Sequence, residues 1–188
     1  MEYMGNQDFW DQKFTSRGKQ PLAPEAVLVE LCHLLKKGSV VDLACGDGRN
    51  TLFLLDQGFE VTALDFSQAG LERLESFASQ SSTRLSTMQV DLTSPKALVG
   101  LETYDNAVIC HYRLSRDLLG ELHHYIADQG CVLVTGFGHR HETNERIGEN
   151  ELIYPEDMAI LRTHFDIIHE EEAHDQRGTF NTYLLKKK

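Results

Sequence analysis

Val40-Val41-Asp42-Leu43-Ala44-Cys45-Gly46-Asp47-Gly48-Arg49-Asn50 is the stretch on which the fold turns. Apolar, β-branched residues lead to a carboxylate near a strand end, and two glycines one residue apart then open a turn. Leu52, Phe53 and Leu55 follow at helical spacing. The whole reads as strand, bare-backbone loop and helix, the arrangement by which an α/β sheet brings main chain against a ligand. The next apolar run, Phe59–Leu64, closes on a second acid, Asp65. Two carboxylates above neighbouring strand ends suit a ligand that carries hydroxyls and positive charge.

The same alternation continues in both directions. Upstream, Phe9, Trp10 and Phe14 give residues 2–16 the spacing of a short helix with one aromatic face. Pro24 starts a second helix with Val27, Leu28, Leu31, Leu34 and Leu35 on one stripe, and Gly38 ends it. Downstream, Ser67 caps a helix carrying Leu71, Leu74 and Phe77. Strands are expected at about 84–90, ending at Asp91-Leu92, and at 106–110, ending at His111-Tyr112. Ser115 caps a helix with Leu118, Leu122 and Ile126, and strand five is expected over 131–135. Residues 136–154 are polar and irregular, and Pro155 opens a last helix. Two extended pieces at 165–171 and 179–185 flank the turn Asp175-Gln176-Arg177-Gly178. Near-continuous apolar strands between helices predict an open, mostly parallel sheet covered on both faces.

The chain has 188 residues, the size of one domain, and no repeat or linker. A formal net charge of −11 argues against a general grip on nucleic-acid phosphates. Its one basic run, Lys186-Lys187-Lys188, reads as a solvated tail. Cys32, Cys45, Cys110 and Cys131 form no Cys-x-x-Cys pair and sit in apolar patterns, which predicts buried, reduced thiols and a cytoplasmic protein. No stretch has the length of a membrane span or the core of a secretion signal. His139 and His141 lack the partners that would complete a metal site, so no metal is expected.

Asp42-Leu43-Ala44-Cys45-Gly46-Asp47-Gly48 is similar to the first motif of the class I S-adenosylmethionine-dependent methyltransferases. Asp65-Phe66-Ser67, Asp91-Leu92 and the residues after strand four resemble the later motifs. Gly48-Arg49-Asn50 with Gly58-Phe59-Glu60-Val61, and the N-terminal Trp10-Asp11-Gln12-Lys13-Phe14, resemble the small tellurite-resistance and thiopurine-type branch. The resemblance implies a Rossmann-like sheet of seven strands, order 3-2-1-4-5-7-6, with strand seven antiparallel. It implies one methyltransferase domain over 1–188, with N-terminal helices and a lid over 1–36 and the core over 37–188. The implied cofactor is S-adenosylmethionine.

On that reading Gly46 and Gly48 admit the cofactor's methionine part, Asp42 meets its ammonium directly or through water, and Asp65 holds the ribose hydroxyls. Phe66 packs on adenine, Asp91 accepts from its exocyclic amine, and the Leu92 backbone meets the ring edge. Ala44, Cys45, Asn50, Ser67 and Cys110 complete the expected cofactor site. His111, Tyr112 and Arg113 follow strand four and are the catalytic candidates: a base, an orienting phenol and an anion-binding cation. Arg140 and Arg177 are further candidates for an anionic acceptor. With no appended recognition unit and no Asn-Pro-Pro-Tyr type sequence after strand four, the acceptor is expected to be a small molecule. Two other functions use the same features: a nicotinamide-dependent oxidoreductase, against which Thr51 stands where a third glycine belongs, and a non-catalytic cofactor-binding module.

Overall fold

A computed structural model describes residues 6–78, 82–145 and 147–188. Seven strands form one sheet: β1 (Ser39–Leu43), β2 (Glu60–Asp65), β3 (Leu85–Gln89), β4 (Tyr104–Cys110), β5 (Ile126–Phe137), β6 (Phe165–Asp175) and β7 (Gly178–Lys187). Their order is β3-β2-β1-β4-β5-β7-β6. The β1, β2, β3, β4 and β5 ladders are parallel, and β7 runs antiparallel to both β5 and β6. This is the expected topology. Strand order reverses between β1 and β4, and ligands in open α/β sheets lie over that point.

The periodicity explains how the layers close. In β1, Val41 and Leu43 enter one core, with Ile109 of β4 and Val132 and Val134 of β5. Val40, Val108 and Leu133 point the other way, into a core with Leu28, Leu54 and Phe59. Each such side chain contributes roughly 1.5–3 kcal/mol when fully buried. All four cysteines are free and buried, and burial pushes each thiol up.

The helices are α1 (Gln7–Ser16), α2 (Ala26–Leu31), α3 (Arg49–Asp56), α4 (Gln68–Phe77), α5 (Arg116–Glu121) and α6 (Pro155–Leu161). Positions 2–5 of the first expected helix lie outside the described residues. Asn6 caps α1, with its side chain accepting from the Phe9 N–H at 3.0 Å. Ser67 and Ser115 cap α4 and α5 as expected, accepting from Gly70 and Leu118 N–H groups.

Four expectations change. The second helix starts at Ala26, and its end tightens into a 3-10 turn over Cys32–Leu34; the changed pitch turns Leu34 outward to 41% exposure. Ile126 belongs to β5, not to the preceding helix. It pairs with Tyr104, and Asn106 pairs next with Cys131, so the intervening residues bulge from the ladder. Gly130 permits that bulge, because a Cβ there would lie 2.3 Å from the Asp105 carbonyl oxygen. The hairpin strands run longer than expected, to Asp175 and from Gly178, and leave a two-residue turn. Finally, Lys187 is not in a solvated tail. It ends β7 and its Nζ donates to the carbonyls of His123 (2.7 Å) and Ile126 (2.6 Å). Among the described residues, no helix is long and apolar enough to cross a membrane.

Candidate active site

A pocket of about 390 Å³ opens over the C-terminal ends of β1, β2 and β4, within the range of small-molecule sites, roughly 300–1,000 Å³. Ala44 turns the chain out of β1 in the left-handed region, at φ 59°. The loop is then fastened to β2. The Gly46 N–H donates to Asp65 Oδ2 at 2.8 Å, and the Ser67 N–H donates to Asp65 Oδ1 at 2.9 Å. Burial pushes the Asp65 carboxyl up; the Ser67, Gly46 and Phe66 N–H groups oppose that, and the Asp11 charge reinforces it. Each carboxylate oxygen has a second lone pair, and the side chain lines the pocket beside Phe66. Asp91 and Leu92 line the adjoining wall. Asp91 Oδ1 is taken by the Thr93 N–H (2.8 Å) and hydroxyl (2.7 Å).

α1 lies across this end. Asp11 accepts from the Ser67 hydroxyl and, at 3.2 Å, from the Ala69 N–H, where the positive end of α4 favours a carboxylate. The Trp10 and Phe14 rings sit 5.5 Å apart, and both line the pocket. Arg17 reaches back to the buried Asp47 at 2.6 Å, and Arg73 of α4 approaches the same carboxylate at 3.4 Å. The aromatic N-terminus therefore closes one side of the pocket.

At the other end, Cys110, His111 and Tyr112 leave β4, with His111 in the left-handed region at φ 57°. Such backbone strain in a non-glycine residue persists only where surrounding contacts hold it. The holding group is Glu25, which sequence reasoning missed. Its Oε1 lies 2.6 Å from His111 Nε2 and 2.6 Å from Arg49 Nη1. Arg177, from the β6–β7 turn, donates to both Glu25 oxygens at 3.0–3.2 Å. The Glu25 N–H is bound by Asn50 Oδ1 at 3.0 Å. Glu25 is only 4% exposed. Burial pushes its carboxyl up, but the His111 and Arg177 hydrogen bonds and the His111 and Arg49 charges outweigh it and hold the group down at about 2. Tyr112 is pushed up to about 12 by burial and by the Asp91 and Asp65 charges, so it stays a neutral phenol.

Eleven of the expected residues meet here: Ala44, Cys45, Gly46 and Asn50 beyond β1; Asp65 and Phe66 at the end of β2; Asp91 and Leu92 beyond β3; Cys110, His111 and Tyr112 at the end of β4. Four do not line the pocket. Ser67 is spent on the helix cap and on Asp11. Gly48 sits against Leu74, whose Cδ1 would be 2.3 Å from a Cβ there, so this glycine serves the packing of α3 on α4. Arg113 is turned away, in a two-pronged pair with the buried Asp157 at 2.9 and 3.1 Å, and the expected anion-binding role does not fit it. Outside those four, the further acceptor candidate Arg140 does not line the pocket either and pairs with Glu172 at 3.1 Å.

Asp42 is the fourth. It lies beneath the loop, 1% exposed, accepting the Thr51 hydroxyl at 2.6 Å. Burial pushes its carboxyl up to about 7, against the Thr51 hydrogen bond and with the Asp65 charge. A folded-state value above the unfolded one confers stability at low pH that is lost as pH rises towards about 7. Asp42→Asn keeps an oxygen for Thr51 and removes the ionisation. It is expected to raise the melting temperature of the ligand-free protein at pH 8 by at least about 2 °C, from roughly 1–3 kcal/mol. Melting curves from pH 4 to 8 should show that advantage growing with pH, and a constant difference would refute the assignment.

The strand order, with its reversal between β1 and β4 and β7 antiparallel, is the Rossmann-like fold of the class I methyltransferases, and the pocket lies over that reversal. The family model of the tellurite resistance protein TehB matches residues 3–116, more than half of the chain, and the chain belongs to that family. It is 39% identical over 80 residues to the putative methyltransferase YqeM of Bacillus subtilis, across 41% of this chain and 30% of that protein. It is 25% identical over 92 residues to the probable S-adenosyl-L-methionine-dependent methyltransferase TehB of Haemophilus influenzae, across 49% of this chain and 30% of that one. The matches thus span less than a third of either relative's length. The crystal structure of the Haemophilus TehB superposes with a TM-score of 0.72 at 19% identity, over 97% of this chain and 67% of that one. A Burkholderia thailandensis 1,6-didemethyltoxoflavin-N1-methyltransferase, with 1,6-didemethyltoxoflavin and S-adenosylhomocysteine bound, superposes at 0.71 and 18% identity, over 96% and 83%.

Proposed function

We infer that this protein binds S-adenosylmethionine and transfers its methyl group to a small-molecule acceptor. The observation that carries this reading is the pocket over the sheet's reversal point, with the carboxylates of Asp65 and Asp91 on successive strand ends. The pocket fits such a nucleoside. Asp65 offers two acceptor oxygens for a pair of sugar hydroxyls, and Asp91 offers Oδ2 for an exocyclic amine. Phe66 and Leu92 give apolar faces for a flat base. Thr51, fully buried and bonded to Asp42, stands where the dinucleotide fingerprint has glycine.

Bound there, the cofactor supplies an electrophilic methyl on a sulfonium. The chain's part is orientation and exclusion of water, for which α1 closes one side and Phe137, Ile147 and Glu151 line another. Correct alignment alone is worth roughly 7–11 kcal/mol of barrier. Tyr112, neutral and at the end of β4, orients the acceptor as a hydrogen-bond donor or acceptor. His111 Nε2 is engaged by Glu25, so a proton removed by His111 would go to Nδ1. The buried, protonated thiols of Cys45 and Cys110 line the wall and take no nucleophilic role.

Calorimetry with S-adenosylhomocysteine and with NADH tests the reading. Binding of the first and not the second is expected; the reverse would assign an oxidoreductase. Incubation of a metabolite extract with methyl-labelled cofactor should then label a product, whereas binding without any labelled product would leave a non-catalytic module.

A further inference from the structure

Under the function inferred above, the acceptor meets the end of β4, where His111 is held at three points. Its backbone N–H donates to the Thr135 carbonyl at 2.8 Å. The Phe180 ring meets its ring edge-on, with centroids 5.6 Å apart. Its Nε2 lies 2.6 Å from Glu25 Oε1. Glu25 is itself fixed: Arg49 reaches Oε1 from α3, and Arg177 reaches both oxygens from the β6–β7 turn while also pairing with Asp175. Burial pushes the Glu25 carboxyl up, but the hydrogen bonds from His111 and Arg177 outweigh it and hold the group down at about 2, so it is a carboxylate at neutral pH. A carboxylate can only accept. The proton of the neutral His111 ring therefore sits on Nε2, and Nδ1 keeps its lone pair. Nδ1 has no hydrogen-bond partner among the described residues and is not closed off by burial. His111 lines the pocket, so the ring presents that lone pair to what the pocket holds. Its chain neighbours present none: burial keeps Tyr112 a neutral phenol and Cys110 a protonated thiol.

We propose that Glu25 is a positioning residue that fixes the tautomer and pose of His111, that His111 Nδ1 is the general base of the transfer, and that the acceptor is a protic nucleophile, a thiol, hydroxyl or N–H compound whose attacking atom carries a proton. As the acceptor attacks, the bond between that atom and its hydrogen breaks and the proton passes to Nδ1. The electron pair left behind makes the bond to the methyl carbon, and the pair of the broken carbon–sulfur bond stays on sulfur. The imidazolium so formed lies against the Glu25 carboxylate and gives its proton to water after the product leaves. Base catalysis of this kind contributes roughly 100- to 10,000-fold.

The first readout needs neither cofactor nor acceptor. In the full chain with nitrogen-labelled histidine at pH 8, the His111 ring signals, assigned by their loss in His111→Gln, should report Nε2 protonated and Nδ1 bare. Glu25→Gln, whose amide both donates and accepts, should give a mixture of the two tautomers. Because Glu25 is buried, folding of that variant is checked by its melting curve, and the wild-type tautomer decides if it fails to fold. Calorimetry with S-adenosylhomocysteine then tests the cofactor reading by itself. In a metabolite extract with methyl-labelled cofactor, His111→Gln should lower the initial labelling rate by at least about 100-fold without loss of S-adenosylhomocysteine affinity. His111→Gly suits the left-handed backbone at that position and leaves room for free imidazole, which should restore part of the rate. A ring protonated on Nδ1, a His111→Gln rate within about tenfold of wild type, or a labelled product whose parent has no proton on the methylated atom would overturn this proposal alone. Failure to bind S-adenosylhomocysteine, or binding without any labelled product, would overturn the function inferred above and this proposal with it.

Discussion

Asp65→Ala is expected to lower the affinity for S-adenosylhomocysteine by at least about 100-fold, near 2.7 kcal/mol. The size follows from what the side chain does twice over. Its two oxygens receive the Gly46 and Ser67 N–H groups, so the carboxylate fastens the glycine loop after β1 to the start of α4. Hydrogen bonds to a charged partner are worth roughly 1.5–3 kcal/mol each. Their loss leaves the loop without its fixed shape as well as the ligand without its acceptor. Asp65→Asn separates the two effects. It keeps the size but turns one acceptor into an NH2 group facing a backbone donor, so it should bind nearly as poorly as the alanine variant. Asp91→Asn, whose Oδ1 serves only the Thr93 turn, should lose about tenfold. Calorimetry checks all three, with circular dichroism to confirm the fold. Affinity within tenfold of wild type for Asp65→Ala would remove Asp65 from the site.

The strand-end part of the pocket was the more legible, for a physical reason. Asp42, Gly46, Asp65 and Asp91 sit at strand ends, and strand ends are announced locally by apolar runs that stop at an acid or a glycine. Where those residues act through backbone, as at Gly46, the spacing alone placed them. Local pattern was weaker on direction. Asp42 and Gly48 belong to the motif, yet one points into the core and the other against Leu74, and no periodicity distinguishes a residue beneath a loop from one on top of it. Arg113 was misplaced for a related reason. Adjacency to His111 in sequence suggested a shared pocket, but its partner Asp157 lies 44 positions away on α6. Ile126 fits a helical stripe and a strand start equally well, and only pairing with Tyr104 decides between them.

Glu25→Ala is the change with the largest expected cost to the fold, and Glu25 is the residue that sequence reading had least means to find. An acid beside the start of α2 looks like an ordinary helix-end charge. Its partners His111 and Arg177 stand 86 and 152 positions away. Removing it takes a shared carboxylate from Arg49 and Arg177, leaves Arg177 on Asp175 alone, and releases the strained His111. Because those partners stay partly solvated, the loss is that of charge-assisted hydrogen bonds, roughly 1.5–3 kcal/mol, which at this chain length lowers the melting temperature by roughly 3–12 °C. The same group dictates an acid signature. Its folded value, about 2 against an ordinary 4.5, is depressed. The stability it confers, about 3 kcal/mol, is therefore present above pH 4.5 and lost as pH falls towards 2. Asp42 acts in the opposite sense and in a different window, between about pH 4 and 7, so the two do not mask each other. Urea unfolding from pH 6 to pH 2.5 should show wild type losing stability steeply below pH 4.5, with Glu25→Gln starting lower and falling less. Parallel acid profiles for the two proteins would mean that Glu25 is not the charge that joins the start of α2, the end of β4 and the β6–β7 turn.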